Sequence, residues 1–429
     1  MSKITVTKKI VEMAPGPNRC VSRHFYYIGK GLELADIRSV TSESDFSNEL
    51  YRRVSPDNGK TWGEWEDIYR SEYVQKGDDE IMTGQPVHGY YNPVHDHFVT
   101  LTMQRIFDGG HVQSYKLFWG EAKKSFHDHC FLYVSKDGKN WSKGQLVKYE
   151  EGADYDEDRW NDPDYLWKND AYMGTNLQVL ANGDILFAID ASLMSCCRIL
   201  GIDVMDIFPS CPQIMRGLII CRGVWNKEKN LYDLSFSKPV VISDLKSSRS
   251  VNEPIVYQLD SGRIVAIFRG SNVQSKNWNT RIEKGTPAHK WYTYSDDGGK
   301  TFTDPVPWHY NNGEVFYSPA TISNFFRSSK NNKLYWIGNI TGPEAYGNAP
   351  RYPLVIVEVD QVQGLLLKDT FTIIDDRDPE KDAESLQLSN FSILENRETL
   401  DLEVCLTRLG SYKGDLWRSD AYKYIISFS

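Results

Sequence analysis

Apolar and polar residues alternate along most of the chain in short runs punctuated by Gly, Asn and Asp, the period-two signature of half-buried strands joined by tight turns. One unit recurs: a strand, a tight turn and a second alternating strand. It reads Tyr27-Ile28-Gly29-Lys30-Gly31-Leu32-Glu33-Leu34-Ala35 near the start and Asn92-Pro93-Val94-His95-Asp96-His97-Phe98-Val99 next. Two further copies are Leu180-Ala181-Asn182-Gly183-Asp184-Ile185-Leu186-Phe187-Ala188 and Leu259-Asp260-Ser261-Gly262-Arg263-Ile264-Val265-Ala266-Ile267. The last two run from Lys330 to Ile337 and from Glu395 to Glu403.

The turns are spaced by roughly 65–87 residues, which suits a four-stranded propeller blade with variable loops. The pattern therefore predicts an all-β chain, a single β-propeller domain over residues 1–429, with six blades counted and seven as the alternative. The segment from Ile4 to Met13 lies outside any complete unit. Pairing it with the last strand, Ala421 to Phe428, closes the last blade and removes an exposed sheet edge. Polar insertions at Glu150 to Asn176 and at Ser192 to Gln213 are expected to be loops that shape a pocket.

A second repeat lies between these hairpins. Ser55-Pro56-Asp57-Asn58-Gly59-Lys60-Thr61-Trp62 and Ser295-Asp296-Asp297-Gly298-Gly299-Lys300-Thr301-Phe302 share the pattern Ser-x-Asp-x-Gly-x-Thr-aromatic, and Ser135-Lys136-Asp137-Gly138-Lys139-Asn140-Trp141 is a shorter variant. Asp and Ser side chains bond turn amides, Gly supplies a positive φ and the aromatic residue covers the turn, so these are structural staples. They resemble the Asp boxes of sialidase-like propellers, and with the six hairpins the resemblance covers nearly the whole chain.

Composition narrows the partners. The 49 Lys and Arg against 58 Asp and Glu give a net charge of −9 in 429 residues, which argues against nucleic acid as the main partner. No apolar run is long enough for a membrane helix, and the N-terminus has no signal-peptide core, so the chain as given reads as soluble and cytoplasmic, or as secreted or periplasmic if a leader was removed. The seven cysteines are odd in number and lack paired metal-finger spacing, as expected of buried thiols. The 12 Trp, 25 Tyr and 18 Phe favour strands and offer flat faces to sugars.

The resemblance to sialidases implies particular residues. Arg23 stands where those enzymes have the first arginine of their substrate triad. The run Asn252-Glu253-Pro254 leading to Arg269 looks like the blade carrying a catalytic Glu and a carboxylate-binding Arg, and Arg351 is similar to the next Arg. Converging guanidiniums would clamp a carboxylate, so the expected ligand is an acidic oligosaccharide or polysaccharide. Where sialidases place a nucleophilic Tyr, this chain offers Phe391, and Tyr317 lies at the equivalent point one blade earlier.

An arginine set without that phenol suits β-elimination beside a uronic acid carboxylate, the chemistry of the propeller-fold rhamnose–glucuronate and ulvan lyases that the chain also resembles. That reaction needs a neutralising Arg and a group near neutral pKa to move protons. Among nine histidines, His88 is favoured as base and acid and His111 stands second; Arg222, in Ile219-Ile220-Cys221-Arg222-Gly223, is favoured as neutraliser because a charge ending an apolar inner strand needs a partner or ligand. Tyr90, Tyr91, Trp160 and Trp167 are expected sugar platforms. No cofactor is expected. His127 and His129, at alternate positions of one strand, have no second ligand pair at a recognised spacing, though a structural metal ion stays open. Three functions are therefore in play: a uronate lyase, a sialidase-type exo-glycoside hydrolase using Glu253, and a non-catalytic glycan-binding propeller.

Overall fold

The computed structural model describes residues 4–44, 49–68, 71–112, 116, 125–211, 213–274, 279–342 and 344–429. Its elements are almost all strands, in this order: β1 (Ile4–Glu12), β2 (Cys20–Tyr27), β3 (Leu34–Thr41), β4 (Glu49–Ser55), β5 (Glu66–Asp67), β6 (Ser71–Lys76), β7 (Asp79–Gly84), β8 (Tyr90–Asn92), β9 (His97–Asp108), β10 (Ser125–Ser135) and β11 (Gln145–Leu146). There follow β12 (Ala171–Val179), β13 (Ile185–Ser192), β14 (Arg216–Asn226), β15 (Leu231–Phe236), β16 (Asn252–Gln258), β17 (Ile264–Arg269), β18 (Lys290–Ser295) and β19 (Val306–Pro307). The last are β20 (Asn324–Arg327), β21 (Leu334–Asn339), β22 (Leu354–Glu358), β23 (Thr372–Asp375), β24 (Ser392–Glu395), β25 (Leu402–Thr407) and β26 (Ala421–Phe428).

They form six antiparallel sheets, the blades of a six-bladed β-propeller. Five have four strands, and the sheet of β6 to β11 has six. Each predicted turn joins two strands paired within one blade: β2–β3, β8–β9, β12–β13, β16–β17, β20–β21 and β24–β25. The chain divides into two compact units, Met1–Tyr69 with Pro287–His289 and Trp308–Ser429, and Arg70–Thr286 with Lys290–Pro307. Each contains three blades.

In the first unit, β1 pairs with β26 from Ile4↔Phe428 to Glu12↔Ala421, so the N-terminal strand completes the last blade. In the second, β13 is buried on both faces. Ile185, Phe187 and Ile189 pack into one apolar cluster, and Leu186 and Ala188 into another. A strand covered on both sides reads as a continuous apolar run, and each such large side chain contributes about 1.5–3 kcal/mol on burial. Asp190 continues this run, on the Leu186 and Ala188 face.

All three staples are built as their residues dictate. Ser55 Oγ donates to Asp57 Oδ1 at 2.8 Å, the Gly59 amide donates to Ser55 Oγ, and the Thr61 amide donates to Asp57 Oδ1. The turns at Ser295 and Ser135 repeat this arrangement, at the ends of β18 and β10.

The two insertions differ from expectation. Glu150 to Asn176 contains a short helix, Pro163–Leu166, and the second insertion contains helices Leu193–Leu200 and Val204–Ile207. Buried Tyr165 and Phe208 supply the apolar anchors that turn polar stretches into folded caps.

Candidate active site

The most unusual geometry of the second unit lies where β16 begins. Pro254 has no amide hydrogen to give the ladder and is tolerated in a strand at a bulge. The β16–β17 register shifts between Asn252 and Ile255, with Glu253 at φ +46° and Ser250 at φ +54°. A bulge bends the strand and re-aims a side chain, and a positive φ on a residue other than Gly stores strain of order 1–3 kcal/mol.

Two contacts hold this conformation. The Glu253 amide donates to Asp190 Oδ2 at 2.8 Å, and Glu253 Oε2 lies 2.8 Å from Arg269 Nε, an ion pair without hydrogen-bond alignment. Asp190 is 3% exposed, and its Oδ1 has no hydrogen-bond partner. Burial, then the Glu253 charge, pushes the Asp190 carboxyl up to about 8, against the pull of the Glu253 amide, Arg216 and Arg269. Burial and the neighbouring carboxylate thus both favour its neutral form.

Neighbouring strands complete the setting. Tyr172 is the ladder partner of Asp190 at the start of β12, where the register also shifts, between Met173 and Leu177. Its phenol pKa is raised, first by burial and then by the Glu253 charge. The close approach requires Gly174: a Cβ there would stand 2.6 Å from the Ala188 carbonyl oxygen and 2.9 Å from that of Pro254. Asn176 fastens β12 to β16 by donating to the Val256 carbonyl and accepting from the Val256 amide.

A buried ion network joins the same strand ends. Arg105 on β9 grips both oxygens of Asp128 on β10, at 2.6 and 2.9 Å. Arg216, at the start of β14, reaches Asp128 at 3.2 Å and Asp170 at 2.7 Å. Despite burial, the two arginines hold Asp128 below the usual carboxylate range. The Arg216 amide also donates to Ser250 Oγ at 2.8 Å, which ties the network to the residues preceding Glu253.

The predicted residues divide sharply. Glu253 and Arg269 are brought together. Arg23, in the first unit, is 6% exposed and turned onto Asp36 and Glu12, its Nε 2.8 Å from Asp36 Oδ1 and its Nη1 2.9 Å from Glu12 Oε2. Asp36 and Glu12 thus take up the guanidinium that the resemblance turns toward a ligand carboxylate. In the same unit Arg351 reaches Gln387 Oε1 at 2.8 Å, Ser389 Oγ at 3.3 Å and the carbonyls of Asn348 and Ala320. Phe391 is a core residue packed with Leu386 and Leu388. Tyr317 lies with its ring 5.9 Å from that of His289, whose Nδ1 donates to the Phe316 carbonyl.

The three lyase residues do not form one group. His88 is exposed in the link between β7 and β8, beside the middle of β9, whereas His111 follows the far end of β9 and meets Glu80 Oε1 at 2.9 Å. Arg222 does not end an inner strand. It sits on β14, the third strand of its blade, opposite Leu186, and grips Asp184 Oδ2 at 2.6 and 3.0 Å. At about 3.3 Å per residue it lies roughly 20 Å along the strand from Arg216.

Among the expected platforms, Tyr90 is 40% and Trp167 43% exposed. Tyr91 donates to Asp96 at 2.7 Å and Trp160 Nε1 to Asp79 at 3.1 Å. His129 stacks on Tyr165 at 3.9 Å, and His127 meets Trp167 edge-on. Among the described residues no group of three or more His, Cys, Asp or Glu is arranged to hold a metal ion.

Sequence reasoning missed Asp190, Tyr172 and the Arg105–Asp128–Arg216–Asp170 network. For Asp190 a signal existed: it is the charge at the end of Ile185-Leu186-Phe187-Ala188-Ile189.

No protein-family model matches the sequence, and no curated protein matches it. Solved structures do share its fold. A protein of unknown function from Dyadobacter fermentans is 15% identical, with 98% of this chain and 99% of that chain covered and a TM-score of 0.54. A Hadza microbial sialidase is 11% identical at a TM-score of 0.51; 94% of this chain is covered, but only 65% of the sialidase. The leech intramolecular trans-sialidase, solved with 2,7-anhydro-Neu5Ac, is 11% identical, with 97% and 69% covered and a TM-score of 0.50. The shared architecture is the sialidase-like six-bladed propeller.

Proposed function

We propose that the protein is a carbohydrate-active enzyme, a glycoside hydrolase whose reacting carboxylate is Glu253. The observation that carries this reading is the presentation of Glu253 on a strained bulge, tied by its amide to Asp190 and by its carboxylate to Arg269. Strain of this kind persists only where surrounding structure imposes it, and it gathers at working sites. The fold shared with proteins named as sialidases supports a saccharide substrate. An acidic saccharide is the form that Arg269 favours by charge.

Glu253 takes the proton of the attacking hydroxyl as its oxygen bonds to the anomeric carbon, the glycosidic C–O bond breaks, and the leaving oxygen takes a proton from solvent water. A water molecule then attacks the anomeric carbon and gives its proton to solvent, the bond formed in the first step breaks, and Glu253 returns its proton to the attacking group. The Tyr172 phenol, on which the Glu253 charge acts, is the candidate nucleophile within the same network. No observation draws His88, His111 and Arg222 into a competing elimination site.

The test is turnover of aryl sialosides, aryl glucuronides and neutral aryl glycosides by the wild type and by Glu253→Gln. At least one reporter is expected to be hydrolysed by the wild type and to lose roughly 10²–10⁴-fold in the variant. Ultraviolet absorbance of an unsaturated uronate released from acidic glycans would replace hydrolase with lyase. Calorimetric glycan binding without turnover would leave a binding propeller.

A further inference from the structure

We propose that Asp190 is the positioning residue of this site: through Oδ2 it holds the 252–254 bulge, and with it the Glu253 carboxylate, in place. The inference rests on the reading of Glu253 as the reacting group, but its geometry stands apart from any activity. A bulged strand leaves an amide outside the ladder, and a buried amide needs an acceptor. Here the acceptor is a side chain on the neighbouring blade, 2.8 Å away. Ser250 Oγ, held by the Arg216 amide, fixes the chain three residues earlier, and the Val251 amide donates to the Arg216 carbonyl at 3.3 Å. Asp190 is thus the anchor on one side of Glu253, and Arg269 grips its carboxylate on the other.

The carboxyl form suits this task. The charges that act on the Asp190 carboxyl are those of Glu253 on β16, Arg216 on β14 and Arg269 on β17, and Tyr172 on β12 is its ladder partner. Arg216 is engaged by Asp128 and Asp170, and Arg269 by Glu253. A proton on Oδ1 leaves Oδ2 free to accept and puts no second negative charge beside Glu253. Ionisation would draw Arg269 toward Asp190 and away from Glu253, so the site should work with Asp190 neutral.

The experiment compares Asp190→Ala, which removes the acceptor, with Asp190→Asn, which keeps an acceptor oxygen and has no charge to gain. Two readouts are used: hydrolysis of the reporter glycoside across pH 5–10, and amide hydrogen exchange of the peptide covering residues 250–256. Expected are a roughly 10²-fold loss of kcat for Asp190→Ala, as for a misplaced reacting group, recovery of most of it by Asp190→Asn, and absence in Asp190→Asn of the fall in wild-type activity above about pH 8. Exchange of the 250–256 peptide should quicken in Asp190→Ala and stay slow in Asp190→Asn. If Asp190→Asn is as impaired as Asp190→Ala, the charge matters and the proposal falls. Unchanged exchange in Asp190→Ala overturns it as well. A wild type that hydrolyses no glycoside defeats the functional reading alone, because the exchange comparison still decides the positioning role.

Discussion

Two arginine–carboxylate clusters, one in each unit, use the same residue types to opposite ends. Around Arg23 every charge is answered. Asp36 receives Arg23 and, at 2.9 Å, Arg53; Glu12 receives Arg23 and, at 2.7 Å, Arg38; and the Arg53 guanidinium lies 4.5 Å from the Trp65 ring and 4.6 Å from that of Trp62. The strands there keep regular register from Cys20↔Thr41 to Tyr27↔Leu34. Around Glu253 the register slips, the backbone is strained, and Asp190 Oδ1 is buried without a partner. Saturated polar networks rigidify a core, whereas violations of local rules mark places where stability has been yielded to chemistry. The slipped register and the strained backbone distinguish the second cluster from the first.

The comparison can be broken most forcefully at Asp36. Asp36→Ala strands Arg23 and Arg53 together, and removal of one partner from a buried ion pair costs about 3–5 kcal/mol. Denaturant unfolding is expected to show that loss. A change below about 1 kcal/mol would show that the Arg23 cluster is not the structural one.

The second measurement concerns pH. Asp190 binds its proton more tightly folded than unfolded, so its stabilising contribution is complete below about pH 4 and is lost as pH rises through about 8. Stability of the wild type relative to Asp190→Asn should therefore fall with pH in that window, by at most about 1.4 kcal/mol per pH unit, and level off above it. Parallel curves would place the proton elsewhere.

The smallest effect belongs to Arg222. Its pair with Asp184 is partly exposed, so Arg222→Gln should alter stability by less than about 1 kcal/mol and leave hydrolysis at the wild-type rate. A tenfold drop in turnover would restore Arg222 to the site and weaken the contrast between the two clusters.

The blades were legible because their signals are local. Leu180-Ala181-Asn182-Gly183-Asp184 and Ser295 to Phe302 each contain the turn chemistry they need, wherever the rest of the chain goes. That Glu253 and Arg269 belong to one blade was expected from the resemblance to sialidases, and the two do pair there. Asp190 was not legible, although the argument applied to Arg222, a charge interrupting an apolar run, applies equally to it. What separates them is strand pairing. Asp190 lies near the end of β13, opposite Tyr172, while β14 continues past Arg222 to Asn226. Only the ladder shows at which end of a blade a charge lies. The Glu253 bulge left a faint trace in Pro254, a residue that a regular central strand excludes.

The ladder between β1 and β26 has a consequence for the order of assembly. β1 finds its hydrogen-bonding partner only once β26 has been made, and the other blades lie between them in the chain, so this blade can finish only after those have had time to form. Until then Ile4 to Glu12 waits as an open strand edge. Its exposed Lys8 and Lys9 are the kind of residue that discourages such an edge from recruiting another chain.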